Sequence, residues 1–358
     1  MAQAEQPKTN NSRYTQEYFD IARSLGPDCA GRRSAYAYMQ NSSAIVHHQV
    51  VATSFIPRLF DKATYEVMKD TAETAHRIAS QVMAHYLDDA SYRKIFHYDP
   101  RMADLILAPR GYDAILPFAR FDTFLNEDTL DIAFCEFNAD GSSGMNENRE
   151  ITNSIKGTAT FKEFARRHQV QGCELFESWV EDFLAIYKTY EQAKENPRVA
   201  IVDYLENGVV DEFRIFTKIF ADHGIECIVE DVRALRFDGT VLKDRNGKTI
   251  DAIWRRCVSN DLMQFWDASQ DLIRAVKRGK VALIGSFAGH IVHDKQLFEA
   301  LFHEATLDFL SAEEREFVKK TVPRTTHLDS RFIDLDEILE NKNSWIIKPT
   351  DHYGAEDV

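Results

Sequence analysis

Between residues 197 and 290, short apolar runs alternate with helical patterns, and this alternation restricts the fold more than any other feature of the chain. Val199-Ala200-Ile201-Val202-Asp203 is a short buried strand. Val210 to His223 reads as a helix, ended by Gly224 at the position where a left-handed residue commonly closes one. Ile225 to Val229, Asp251 to Cys257 and Val281 to Phe287 are further strands, with Leu262 to Lys277 a helix before the last. Strands that alternate with helices imply βαβ units and a mostly parallel sheet. Leu235 to Ile250 departs from that rhythm, because Asp238-Gly239 and Asn246-Gly247 are hairpin-turn dipeptides. The run Gly285-Ser286-Phe287-Ala288-Gly289 is not G-x-G-x-x-G, so no dinucleotide site is expected there.

Residues 14 to about 95 read as mainly helical. Met68, Ala72, Ala75, Ile78, Val82 and Tyr86 recur at helical spacing and mark a scaffold helix. His47, His48, His76 and His85 fall in this region without a carboxylate or cysteine at ligand spacing, and read as surface or partly buried histidines. Residues 158–193 read as one long amphipathic helix with Phe161, Phe164, Leu175, Trp179, Phe183 and Tyr187 toward the core. Asp294 opens another helix, which Lys295 caps or decorates; 334–342 is a short acidic helix and 345–349 a strand. Nothing after residue 349 closes the unit, which suggests a chain that naturally continues.

The 358 residues are 44% hydrophobic and 28% charged, an ordinary globular composition with length for two or three domains. The formal net charge of -14 argues against a general nucleic-acid or membrane-surface binder, since phosphate surfaces need clustered Lys and Arg. It leaves room for a local basic pocket holding one nucleotide. Met1 to Ser12 lacks an apolar h-region, and no apolar run is long enough to span a membrane. The cysteines, Cys29, Cys135, Cys173, Cys227 and Cys257, are odd in number and widely spaced. They read as buried, reduced thiols of a cytoplasmic protein.

Residues 115–139 read as a β-hairpin: Ile115 to Leu125, a turn at Asn126-Glu127-Asp128, then Leu130 to Phe137. Arg120 and Asp122 share one strand face, as do Glu136 and Asn138. The four share a single face if the loop has an odd number of residues, three or five; an even loop splits them across the sheet. Two carboxylates and an amide oxygen form an all-oxygen set suited to Mg²⁺. An arginine beside them suits phosphate. The alternative is a surface ion-pair cluster. The loop that follows, Ala139-Asp140-Gly141-Ser142-Ser143-Gly144, is small and polar, and Ser142 and Ser143 are candidates to touch substrate. Arg255 and Arg256 alternate on their strand, so one of them, Arg255 by preference, is a candidate for a substrate carboxylate.

The order R-x-D, E-x-N-A-D, D-x-I-W-R-R, D-K-x-L, P-R-T and W-I-I-K-P followed by Tyr-Gly resembles the ATP-grasp ligases. More narrowly, it is similar to their circularly permuted branch, typified by the synthetase domain of glutathionylspermidine synthase. The likeness spans about residues 110 to 358. It implies an α/β (α+β), ATP-grasp-like chain with a helical N-terminal region over 1–110, a metal-site hairpin with helices over 111–195, a Rossmann-like pre-grasp domain over 196–322 and the start of a nucleotide-binding domain over 323–358. It implies that Asp122, Glu136 and Asn138 bind Mg²⁺, that Arg120 is catalytic and holds the transferred phosphate, and that Lys348 with Tyr353 and Gly354 binds ATP. Ala355 stands where many members have a second lid glycine. The expected activity joins a small-molecule or peptide carboxylate to an amine through an acyl-phosphate, with ATP and Mg²⁺ as cofactors. A non-catalytic homologue that binds nucleotide or peptide, and an unrelated metal-dependent hydrolase, remain alternatives.

Overall fold

The computed structural model describes residues 9–26, 31–46, 49–206 and 208–351. Its N-terminal part is helical, as the periodicity predicts. Helices α1 (Asn11–Leu25) and α2 (Arg32–Gln40) precede a small hairpin of β1 (Ile45–Val46) and β2 (Gln49–Val50), and then the long α3 (Lys62–Asp88). Asp61 caps α3 by accepting the Thr64 N–H at 2.9 Å. The expected stripe of Ala75, Ile78, Val82 and Tyr86 is buried in one core with Phe134, Phe137, Leu297 and Val318. His76 hydrogen-bonds Leu116 O through Nε2, and His85 stacks on Phe309, so both are ordinary packed histidines. His47 and His48 lie outside the described residues.

After α4 (Pro100–Ile106) come β3 (Arg120–Leu125) and β4 (Ile132–Asn138), an antiparallel pair. The first arm is shorter than expected. Pro117 has no N–H to give a ladder, so residues 115–119 stay irregular. The helical stretch at 158–193 is not one helix. After α5 (Met145–Lys156) it divides into α6 (Ala159–Arg167) and α7 (Glu177–Lys188). Glu174 starts α7 afresh, its carboxylate accepting the N–H groups of Phe176, Glu177 and Ser178. Leu175, expected in the core, is exposed as a result, whereas Phe164, Trp179, Phe183 and Tyr187 are buried.

The alternating region forms the predicted parallel sheet. Its strands are β5 (Val199–Asp203), followed by α8 (Val210–Asp222) and β6 (Cys227–Asp231); a meander of β7 (Arg236–Phe237), β8 (Leu242–Lys243) and β9 (Thr249–Ile250) comes next. Then follow β10 (Ala252–Arg255), α9 (Ser259–Gln264), α10 (Gln270–Lys277) and β11 (Ala282–Ile284). The sheet order is β11-β10-β5-β6, every pair parallel. Register accounts for the layers. Val199, Ile201, Ala252, Trp254 and Ile284 face the Phe-rich side of α7 and α8, while Ala200, Val202, Ile253 and Leu283 face α9 and α10. A parallel sheet covered on both faces needs near-continuous apolar strands, which is why β5 is buried along its whole length.

Helices α11 (His290–His293), α12 (Gln296–Ala300), α13 (Glu304–Leu307), α14 (Ala312–Thr321) and α15 (Leu335–Glu340) complete the described chain. A capping box between Ser311 and Glu314 starts α14. The strand expected at 345–349 does not form: the segment pairs with no strand among the described residues. Ile346 and Ile347 are 74% and 61% exposed. Of the cysteines, Cys257 is buried, Cys135 and Cys227 are partly buried, and Cys173 is exposed, contrary to expectation; all four are free thiols. Cys29 lies outside the described residues. No helix among the described residues is long and apolar enough to cross a membrane.

Candidate functional site

The hairpin pairs Arg120 with Asn138 and Asp122 with Glu136, so the four polar side chains do share one face. The route differs from the expected one. The loop between the paired ends Leu125 and Ile132 has an even number of residues, which alone splits the set. A β-bulge restores it: Thr123 pairs with Phe134 and Asp122 with Glu136, leaving Cys135 as the extra residue. The bulge is what allows Phe134 and Phe137, three residues apart, both to enter the core.

On the polar face, Arg120 grips Asp122 with two parallel bonds, Nε to Oδ1 at 2.7 Å and Nη2 to Oδ2 at 3.0 Å. Its Nη1 donates to Ser143 O at 2.9 Å, tying the following loop to the strand. The Arg120–Asp122 pair is exposed, and such pairs contribute about 0–1 kcal/mol, so exchanging it for a ligand costs little. Asn138 donates an amide N–H to Glu136 Oε1 at 3.3 Å, which leaves its carbonyl oxygen as the atom a cation would take. Asp122 and Glu136 face each other across the ladder, where like charges repel. Two opposed carboxylates with an amide oxygen beside them fit a hard divalent cation.

Two lysines reach the same end of the hairpin. Lys348 Nζ lies 3.6 Å from Cys135 Sγ, on the bulge itself. Lys295, read from sequence as helix decoration, is instead largely buried, with Nζ 4.0 Å from Glu136 Oε2. Its N–H donates to Thr350 O at 3.0 Å, which brings the 348–351 segment alongside. Tyr353 and Gly354 lie outside the described residues.

The remaining candidates are structural. Ser142 is buried and donates to Asn138 O; Ser143 offers Arg120 its carbonyl. Arg255 does not face a substrate cleft. Its side chain is shut off from solvent, ion-paired with Asp140, and donates to Cys257 O at 2.8 Å and Ser286 O at 3.0 Å. Arg256 is buried too, against Glu212 on α8 at 2.5 Å. Both arginines leave the carboxyl end of β10 and hold neighbouring elements. Arg255 fixes the loop after β4, and Glu212 accepts the Asn146 N–H of α5 at 2.9 Å.

Sequence reading missed a buried group behind the hairpin: Asp140, His290, His293 and Asp294, with Asp351 packed against them. His-Ile-Val-His-Asp-Lys at 290–295 was the available signal. Burial raises Asp140, but Arg255 and the two histidines outweigh it and hold the carboxyl well below its usual range. Burial lowers His293 to about 4. It raises Asp351 to about 6 and lifts Asp294 above its ordinary value. His290 is raised: burial opposes its charge, but Asp140, 3.8 Å from its Nδ1, and the surrounding carboxylates favour it. At the carboxyl end of β5, burial likewise raises Asp203, to about 7. Perturbed groups concentrated beside a conjunction of carboxylates and cations make this region the candidate site. Elsewhere among the described residues, Glu177, Glu181 and His223 stand close enough to share an ion, but all three are exposed surface groups.

No protein-family model and no curated protein sequence matches the chain. Among solved structures it is similar to a glutathione synthetase-like effector from Globodera pallida in its apo form. The TM-score is 0.61 at 9% sequence identity, and the likeness covers 95% of this chain and 79% of that one. At that identity the likeness shows the fold alone: a mixed α/β chain folded like that effector.

Proposed function

We propose that the chain is an ATP- and Mg²⁺-dependent carboxylate–amine ligase of the glutathionylspermidine-synthase type. The observation that carries this reading is the hairpin face itself: Asp122 opposite Glu136, flanked by Arg120 and Asn138, with Lys295 and Lys348 at the same end. The glutathione synthetase-like fold supports it.

In this reading a substrate carboxylate oxygen attacks the γ-phosphorus of ATP and ADP leaves. An amine then attacks the acyl carbon of the acyl-phosphate and inorganic phosphate leaves. Asp122, Glu136 and the Asn138 carbonyl would hold Mg²⁺, which when bound neutralises phosphate oxygens. Arg120, released from Asp122, supports the charge on the transferred phosphoryl group. Lys348 and Lys295 hold nucleotide or acyl-phosphate oxygens. No nucleophilic side chain is required, because phosphoryl transfer depends on positioning and electrostatics.

The test is Mg²⁺-dependent ADP release with a panel of peptides, small carboxylic acids and amines. Release that requires both an acid and an amine, and that disappears in Asp122→Ala and Glu136→Ala, supports the ligase. Turnover that survives both substitutions overturns the site assignment; ATP-independent hydrolysis of an amide or ester overturns the reaction.

A further inference from the structure

Strand β3 belongs to a two-stranded sheet and pairs with β4 alone. Its other edge has no strand beside it among the described residues. Asn126, just past β3, donates its N–H to Asp131 O at 2.9 Å, which fixes the phase of the ladder. Backbone groups of successive strand residues point to opposite edges. Asp122 and Phe124 therefore turn their N–H and C=O toward β4, and Phe121 and Thr123 turn theirs outward. Those outward groups make no hydrogen bond to another element among the described residues.

A row of unpaired backbone groups is a template for another strand, and proteins commonly blunt it with proline, lysine or a bulge. Arg120-Phe121-Asp122-Thr123-Phe124-Leu125 has neither proline nor lysine, and the bulge at Cys135 lies on β4. Thr123 is exposed, and Phe124 is 69% exposed. Phe124 follows Asp122 by two residues and so shares its face. Charge then selects the direction of an added strand. Arg120 stands at the N-terminal end of β3, and its guanidinium reaches along the strand to Asp122. A peptide added antiparallel brings its C-terminal carboxylate to Arg120, whereas a parallel one brings its ammonium.

We infer that the outer edge of β3 binds the C-terminal stretch of an extended peptide as an antiparallel strand, with its carboxylate at Arg120 and an apolar side chain on Phe124. The C-terminal residue lies beside Phe121, exchanges backbone hydrogen bonds with it, and directs its carboxylate to the guanidinium. The residue two places upstream pairs with Thr123 in the same way. The next one upstream faces Phe124, in the kind of pair that brings side chains closest, so the shortest peptide that fills the edge has about four residues. In the ligase reading this peptide is the acid that ATP activates beside Asp122 and Glu136. That assignment rests on the ligase reading; the binding does not.

Fluorescence anisotropy of the full chain with fluorescein-labelled Gly-Leu-Ala-Ala-Gly tests it. The expected result is saturable binding, weaker by about tenfold or more when the C-terminus is amidated. N-methylation of the alanine beside Thr123 removes a donor to Thr123 O and should weaken binding by about fivefold or more. N-methylation of the alanine beside Asp122, whose N–H points away from β3, should change it by less than about twofold. Phe124→Ala, at an exposed position, should cost about threefold or more with leucine in the peptide and nothing with glycine in its place. No saturation at millimolar peptide overturns the inference. So does equal binding of the amide or of the two N-methylated peptides, or unchanged affinity in Phe124→Ala. Mg²⁺-dependent ADP release with the same peptide and a panel of amines is scored separately. Binding in the expected pattern without release keeps the strand site and removes the ligase reading; release with other acids but no peptide binding does the reverse.

Discussion

Asp122 lies directly opposite Glu136 on the β3–β4 ladder, one residue before the bulge at Cys135. Two carboxylates in that relation cost stability. Arg120 offsets one of them and Lys295 approaches the other. The arrangement is expensive for a surface hairpin and appropriate for a cation-binding one.

Mg²⁺ with nucleotide should therefore stabilise the chain against thermal unfolding. At about 100 times Kd the gain is about 2.7 kcal/mol. Asp122→Asn and Glu136→Gln should each lose most of that gain, while unfolding without Mg²⁺ stays close to that of the parent. Differential scanning calorimetry with and without Mg²⁺ measures it. A full Mg²⁺ response in both variants would remove these residues from the cation site.

Arg120 and Arg255 should separate by assay. Arg120→Ala breaks an exposed pair and should cost at most about 1 kcal/mol of stability, yet lower ligase turnover by about 10²–10³. Arg255→Ala leaves Asp140 charged and buried and strips donors from three backbone carbonyls, those of Cys257, Gly285 and Ser286, which should cost about 3–5 kcal/mol. Arg255→Lys should not restore it, since an ammonium cannot reproduce the planar fork. Urea unfolding of the three variants checks the order.

The parallel sheet was legible because β5, β10 and β11 are short apolar runs separated by helical patterns, and no local signal competes with that reading. The shared hairpin face was legible only in outcome. Period-two counting placed Glu136 with Asn138, but it could not see that Cys135 absorbs the mismatch left by an even loop. Arg255 misled because a charged residue on a strand resembles a cleft residue until Asp140, more than a hundred residues away, is seen to bury it. Lys295 was undervalued for the same reason: its partner, Glu136, is distant in sequence.

His293 and Asp203 should give stability opposite dependences on pH. His293 has its folded pKa lowered from an unfolded value near 6.5 to about 4, so between those values the unfolded chain binds more protons. Its contribution is lost as pH falls from about 6.5 toward 4, by up to about 3 kcal/mol. Asp203 is raised from 3.8 to about 7, so there the folded chain binds more protons, and its contribution is lost as pH rises through 7. Relative to the parent, His293→Gln should be least disadvantaged near pH 4.5, and Asp203→Asn near pH 8. Denaturant titrations across that range test both slopes, and parallel profiles for the two variants would contradict the burial assigned to one of them.

Gly141 joins the hairpin to the sheet at a point with no space for a side chain. Its φ is +67°, in the left-handed region, and a Cβ there would stand 2.3 Å from Arg256 O. The obstructing atom is backbone, held because Arg256 N–H donates to Val202 O at 2.9 Å and its side chain pairs with Glu212. It cannot move aside cheaply. Gly141→Ala should cost about 1–3 kcal/mol from crowding, and the left-handed backbone adds about 1 kcal/mol. Because the same loop carries Ser143 O, the acceptor of Arg120 Nη1, the substitution should also displace Arg120. Ligase turnover should then fall further than stability alone explains at temperatures where the variant is still folded. Gly224→Ala, at a left-handed position with open space around it, is the matched control and should lose only the backbone component.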